Sequence, residues 1–87
     1  GMAKQMPASD TEAGSMLTPT GKQQIRDALE YFPHVGEVRF SDQRVSIVFK
    51  PGAERSDKET LIGFMLTRFD WLTFESYQHR VIYFSSR

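Results

Sequence analysis

The chain contains no cysteine. Disulfide staples, thiolate metal sites and cysteine nucleophiles are therefore excluded, and nothing points to an oxidising compartment, so a cytoplasmic protein is expected. No apolar run approaches the roughly 18 residues of a membrane span, and the N-terminus lacks the apolar core of a secretory signal, so neither a membrane partner nor export is expected. An excess of charge is missing too. Eleven Lys and Arg balance eleven Asp and Glu, so no overall field recruits nucleic acid or anionic lipid, although one face can still be basic. Phosphate-binding glycine loops, nucleophile elbows and metal motifs are absent. The two histidines, His34 after a helix stop and His79 at a hairpin tip, have no carboxylate or histidine at a ligand-like helical spacing. Asp27, Glu30, Asp57, Glu59 and Asp70 read as helix-surface or capping acids, placed where the helix dipole favours them. No catalytic residue, metal site or cofactor is expected, and the chain reads as non-enzymatic.

What remains is a small chain of 87 residues, 39% apolar and 25% charged, enough for a single core. A domain of this size buries only about 60 to 65% of the surface its unfolded chain exposes, which favours self-association. Gly1 before Met2 reads as a scar of tag removal, and AKQMPASDTEAGSM over residues 3–16 has no aromatic and no period. A disordered tail over residues 1–17 and one domain over 18–87 are expected.

Thr18-Pro19 announces a helix, with a hydroxyl N-cap and proline at the first helical position. Ile25, Ala28, Leu29 and Phe32 make one apolar stripe along it, and Pro33 ends it. EVRFSDQRVSIVFK, residues 37–50, alternates with period 2 about Asp42-Gln43 and predicts a β-hairpin. In it Phe40 faces Val45, Val38 faces Ile47, Arg39 faces Ser46 and Glu37 faces Val48. Pro51-Gly52 breaks the strand, and Ser56 with Glu59 predicts a capping box for a second helix through about Arg68. Leu61, Phe64, Met65 and Phe69 form its expected buried side, widened by Ile62 and Leu66. A second hairpin follows, with residues 71–75 and 80–85 around a turn at Gln78-His79.

The second half repeats the first at a shift of 36 residues: Ile25 falls on Leu61, Leu29 on Met65, Arg44 on Arg80 and Val45 on Val81, and the DQRV and QHRV turns coincide. Bringing Phe32 onto Phe69 takes a slip of one residue near Pro33. The expectation is an α+β domain, an αββαββ duplicated unit with a four-stranded antiparallel sheet and two helices on one face. Right-handed connections put the strands, numbered along the chain, in the order 3-4-2-1. That is a permuted ferredoxin-like topology, an analogy that carries no function. The apolar runs 45–49 and 81–84 become central, and the charged strands around Arg39 and Glu75 guard the edges.

The informative residues are then those on the sheet face away from the helices. With Gln78-His79 as the loop, Phe74 and Tyr83 turn inward, while Trp71, Ile82 and Phe84 join Val48 outside, rimmed by Tyr77, Arg39, Arg44 and Arg80. Such an apolar face predicts a contact surface, either a homodimer or an interface with another protein. A one-residue shift of the second hairpin would instead turn Trp71, Ile82 and Phe84 inward and put Phe74 and Tyr83 outside. The tail or the Pro51 loop covering this face is another way to satisfy it. Competing functions are single-stranded nucleic-acid binding on the sheet face, where aromatics stack bases and arginines meet phosphates, and binding of a small ligand or effector.

Overall fold

A computed structural model of the chain describes residues 16–87. The tail expected over residues 1–17 lies outside the described residues except for Met16 and Leu17, and Leu17 corrects its boundary. Its side chain is buried in the core and its N–H donates to the Asp42 carbonyl at 2.7 Å. An apolar side chain followed by a capping threonine is held by the domain rather than left in solvent.

Six elements follow: α1 (Pro19–Leu29), β1 (Val35–Phe40), β2 (Arg44–Phe49), α2 (Arg55–Arg68), β3 (Leu72–Gln78) and β4 (Val81–Ser86). The strands form one four-stranded antiparallel sheet in the order β1-β2-β4-β3, as expected from right-handed connections. Ile25 and Leu29 of α1 and Leu61 and Met65 of α2 are buried in one cluster with Val45, Ile47 and Phe49 of β2 and Ile82 and Phe84 of β4. The core is thus a single layer between the helices and one sheet face.

Local chemistry explains the helix ends. The Thr18 hydroxyl accepts from the Gly21 N–H at 2.9 Å, with Pro19 directly after the cap. The last helical residue of α1 is Leu29, earlier than the Pro33 stop suggested. The N–H groups of Glu30, Tyr31 and Phe32 then reach back three residues to the carbonyls of Asp27, Ala28 and Leu29, a tightened last turn that satisfies the helix end. At α2 the expected Ser56/Glu59 box is replaced by one two residues earlier: Glu54 is the N-cap, and its N–H donates to Asp57 Oδ2 at 2.8 Å. The same acid-at-N3 chemistry operates two residues earlier, with Asp57 in the role expected of Glu59. On α2, Leu61, Met65 and Phe69 at its C-cap are buried, Phe64 and Ile62 are half-buried, and Leu66 is exposed.

The first hairpin has the expected register, Phe40 opposite Val45, Val38 opposite Ile47, Arg39 opposite Ser46 and Glu37 opposite Val48. The second does not. Its turn is His79-Arg80, with Gln78 opposite Val81, Tyr77 opposite Ile82 and Ser76 opposite Tyr83, and Glu75 then bulges so that Phe74 meets Phe84 and Leu72 meets Ser86. His79 takes the left-handed conformation, φ 55°, which a histidine in a tight turn tolerates better than a β-branched residue would.

That one-residue shift corrects the expected outer face. Ile82 and Phe84 are completely buried, opposite Ile47 and Val45 of β2, because their side chains fill the layer under the helices. Trp71 packs on the helix side, its ring 5.5 Å from that of Phe69 and its indole edge against Gly21. Tyr77 faces the same side, with the Lys58 ammonium 5.3 Å from its ring centroid. Arg80 sits in the turn rather than in the strand. Phe74, expected inside, does share the helix-side face with Phe84 but is more than a third exposed on the edge strand, and Tyr83 moves outside.

Candidate functional site

The registers lay out the sheet face away from the helices as a grid, since cross-strand partners share a face and side chains alternate along each strand. One row reads Glu37, Val48, Val81, Gln78 across β1, β2, β4 and β3; the middle row reads Arg39, Ser46, Tyr83, Ser76; the third holds Arg44, Ser85 and Thr73. Glu75 joins this third row because its carboxylate accepts a hydrogen bond from the Ser85 hydroxyl. Of the eight residues expected at an interface, Val48, Arg39 and Arg44 stand on this face. Val81 went unnamed in the sequence reading, and Tyr83 stands outside as the one-residue shift of the second hairpin required.

Val48, Val81 and Tyr83 are half-buried by neighbouring side chains, as expected on central strands. They form a short apolar centre. The Arg44 guanidinium lies 5.7 Å from the Tyr83 ring centroid, a cation–π contact of modest strength at a solvent-facing site. Arg39 forks onto Glu37, Nε to Oε2 at 2.6 Å and Nη2 to Oε1 at 3.2 Å. That hydrogen bond holds the Glu37 carboxyl below its ordinary value and raises Arg39, with the opposite charges adding to both shifts and the small desolvation opposing them. Charge on this face is therefore mixed, with Glu37 answering Arg39 and leaving Arg44 and Glu75 at opposite sides of the third row.

Three other places on the surface are concave or apolar. A cleft of 300 Å³ opens at the start of α1, between Met16, Thr18, Gly21, Trp71 and Arg87. A smaller one, 250 Å³, lies over Phe32 and Phe49, with His34 Nε2 3.6 Å from Asp57 Oδ2 at its rim. Asp57 also caps α2, so its carboxylate already has two partners. Along the open edge, Leu66, Phe74 and Tyr77 are each 37 to 38% exposed. Among the described residues no group of three or more His, Cys, Asp or Glu converges as a metal site, and no helix is long and apolar enough to cross a membrane. Compared with known proteins, the chain matches no family model, no curated protein and no solved structure.

Proposed function

We propose that this chain is a non-enzymatic interaction domain that self-associates through the outer face of its sheet. The observation that carries the reading is a sheet face four strands wide that neither helix crosses, with Val48, Val81 and Tyr83 at its centre. A domain this small has little core to spare, and covering that strip removes more apolar surface from water. The wider reading, an αββ unit used twice in a permuted ferredoxin-like arrangement, is supported by spacing: α2 begins 36 residues after α1, and β3 and β4 begin 37 after β1 and β2. At those offsets Ile25 and Leu61, Leu29 and Met65, Val45 and Ile82, and Ile47 and Phe84 are buried in pairs. Two such units give a sheet whose own centre lies between β2 and β4.

The test is the solution mass by light scattering across protein concentration. A mass that rises from monomer to dimer, and a Tyr83→Glu variant that keeps its circular dichroism but stays monomeric, are the expected results. Phe84→Arg is unsuitable for this purpose, since it buries a charge and unfolds the domain. A dimer indifferent to Tyr83→Glu would move the interface elsewhere, with the Leu66, Phe74 and Tyr77 edge next in line.

Tyr83 beside Arg44 favours a second reading, single-stranded nucleic-acid binding, in which the ring stacks a base. One aromatic is a small platform, and Glu37 and Glu75 share the face. Salt-sensitive binding of an oligonucleotide that Tyr83→Ala abolishes would favour it.

A further inference from the structure

Resting on the self-association reading, we infer that two copies pack their outer sheet faces about a two-fold axis that runs along the strands between β2 and β4, and that Arg44 of each copy meets Glu75 of the other. The grid decides between axes. Rotation about an axis parallel to the strands keeps each row and exchanges the columns of β2 with β4 and of β1 with β3. It lays Val48 on the partner's Val81, Ser46 on the partner's Tyr83, and Arg44 over the partner's Ser85, whose hydroxyl is bonded to Glu75. Arg39 then meets the partner's Ser76, and Glu37 the partner's Gln78. Rotation about an axis across the strands instead inverts the rows and sets Arg44 on Val48, which strips water from a charge and returns nothing.

The face is thus complementary to itself under one symmetry, with an apolar pair at one end and opposite charges at the other. Both sheets keep their strand directions within about 30°, as aligned sheet packing does. Four strands about 4.8 Å apart and six residues long give a flat footprint of roughly 400 Å² per copy. That is about half of what a standard stable interface buries per partner, so the dimer is weak and its population changes with concentration.

The experiment mixes two variants. Arg44→Glu alone sets Glu against Glu75 twice, and Glu75→Arg alone sets Arg44 against Arg twice; each should weaken dimerisation about tenfold or more. Both sites are exposed, so folding should be unaffected. Mixed in equal amounts, the two should form a heterodimer, because both contacts then become attractive. The control mixes Arg55→Glu with Glu59→Arg, which carry the same net charges on α2, away from the face; this pair should form no heterodimer beyond the wild-type level. Single variants that dimerise like wild type, a mixture that stays monomeric, or a control pair that associates as strongly would each overturn this pairing. If Tyr83→Glu still breaks the dimer in those cases, self-association through the face survives and only the symmetry fails. A wild-type chain that is monomeric at every concentration overturns both.

Discussion

Phe74 and Phe84 meet edge to face across β3 and β4, with ring centroids 6.1 Å apart and planes at 75°. The contact exists because Glu75 is extruded from the ladder as a bulge between Phe74 and Ser76. From the His79-Arg80 turn, an unbroken hairpin would put Glu75 opposite Phe84 and carry Leu72 to the solvent side. With the bulge, Leu72 is 1% exposed and lies in the core. Deleting Glu75 would remove the bulge and leave the same pairs, Phe74 with Phe84 and Leu72 with Ser86, in an unbroken ladder with every face kept.

Deletion of Glu75 should therefore be tolerated about as well as a substitution at that site. Leu72 stays opposite Ser86 and inside the core, so the cost of about 2 to 5 kcal/mol that exposing it would carry is avoided. Glu75→Ala should lose only a surface hydrogen bond and change stability by about 1 kcal/mol or less. Urea midpoints for the two variants make the comparison. A deletion less stable than Glu75→Ala by several kcal/mol would mean that the bulge itself is needed to hold Leu72 in the core.

Gly21 sits where α1 passes closest to Trp71. A Cβ built there would lie 3.2 Å from Thr18 Oγ1 and 3.3 Å from Trp71 Cη2. Gly21→Ala gains helix propensity of about 1 kcal/mol while crowding two side-chain tips, so the terms nearly cancel. Gly21→Val pushes branched methyls into the same space and should destabilise by about 1 to 3 kcal/mol. Because Trp71 is the chain's one tryptophan, its fluorescence reports the displacement directly. An unshifted emission spectrum in the valine variant would show that the indole does not pack on α1.

The Glu37 and Arg39 pair gives the outer face a pH dependence of known sign. Its hydrogen bond to Arg39 holds the Glu37 carboxyl below the ordinary value of 4.5, against slight desolvation and with help from the opposite charge. A carboxylate whose folded pKa lies below its unfolded one stabilises the fold above the unfolded value and loses that contribution as pH falls through the folded value. Both groups are exposed, so the effect on stability is small, and the titration itself is the better observable. NMR of the Glu37 carboxyl should show a depressed pKa that returns toward 4.5 in Arg39→Ala; no change on removing Arg39 would exclude the hydrogen bond as its cause.

How far the sequence carries depends on where each signal is stored. Thr18-Pro19 sets the start of α1 by its own chemistry, and the polar Asp42-Gln43 turn between alternating runs sets the first hairpin. VIYFSS in β4 is different. Its two faces, Val81 and Tyr83 against Ile82 and Phe84, are nearly equal in apolar character, so alternation alone chooses neither. The shared Arg-Val after the two turns, Arg44-Val45 and Arg80-Val81, favours an offset of 36, and that offset places Ile82 and Phe84 outside. The slip of one residue required between Phe32 and Phe69 was the available clue. Carried through the rest of the repeat, it sets Val45 on Ile82 and Ile47 on Phe84, which is the observed burial. The paired Tyr83 and Ser85 pointed the same way, since a hydroxyl-bearing parity belongs on the wet side.

By itself, then, the sequence determined the element order, the N-cap of α1, the first hairpin and, through the handedness of connections, the sheet order, because each follows from short-range sterics and hydrogen bonding. The tertiary structure alone decided which face of β4 is core. Ile82 and Phe84 are buried because Ile47 and Val45 stand beside them and Leu61 and Met65 close over the same layer. That preference is a property of the assembled layer, and the bulge at Glu75 lets β3 follow it. The surface of Val48, Val81, Tyr83, Arg44 and Glu75 is what this choice leaves on the face away from the helices.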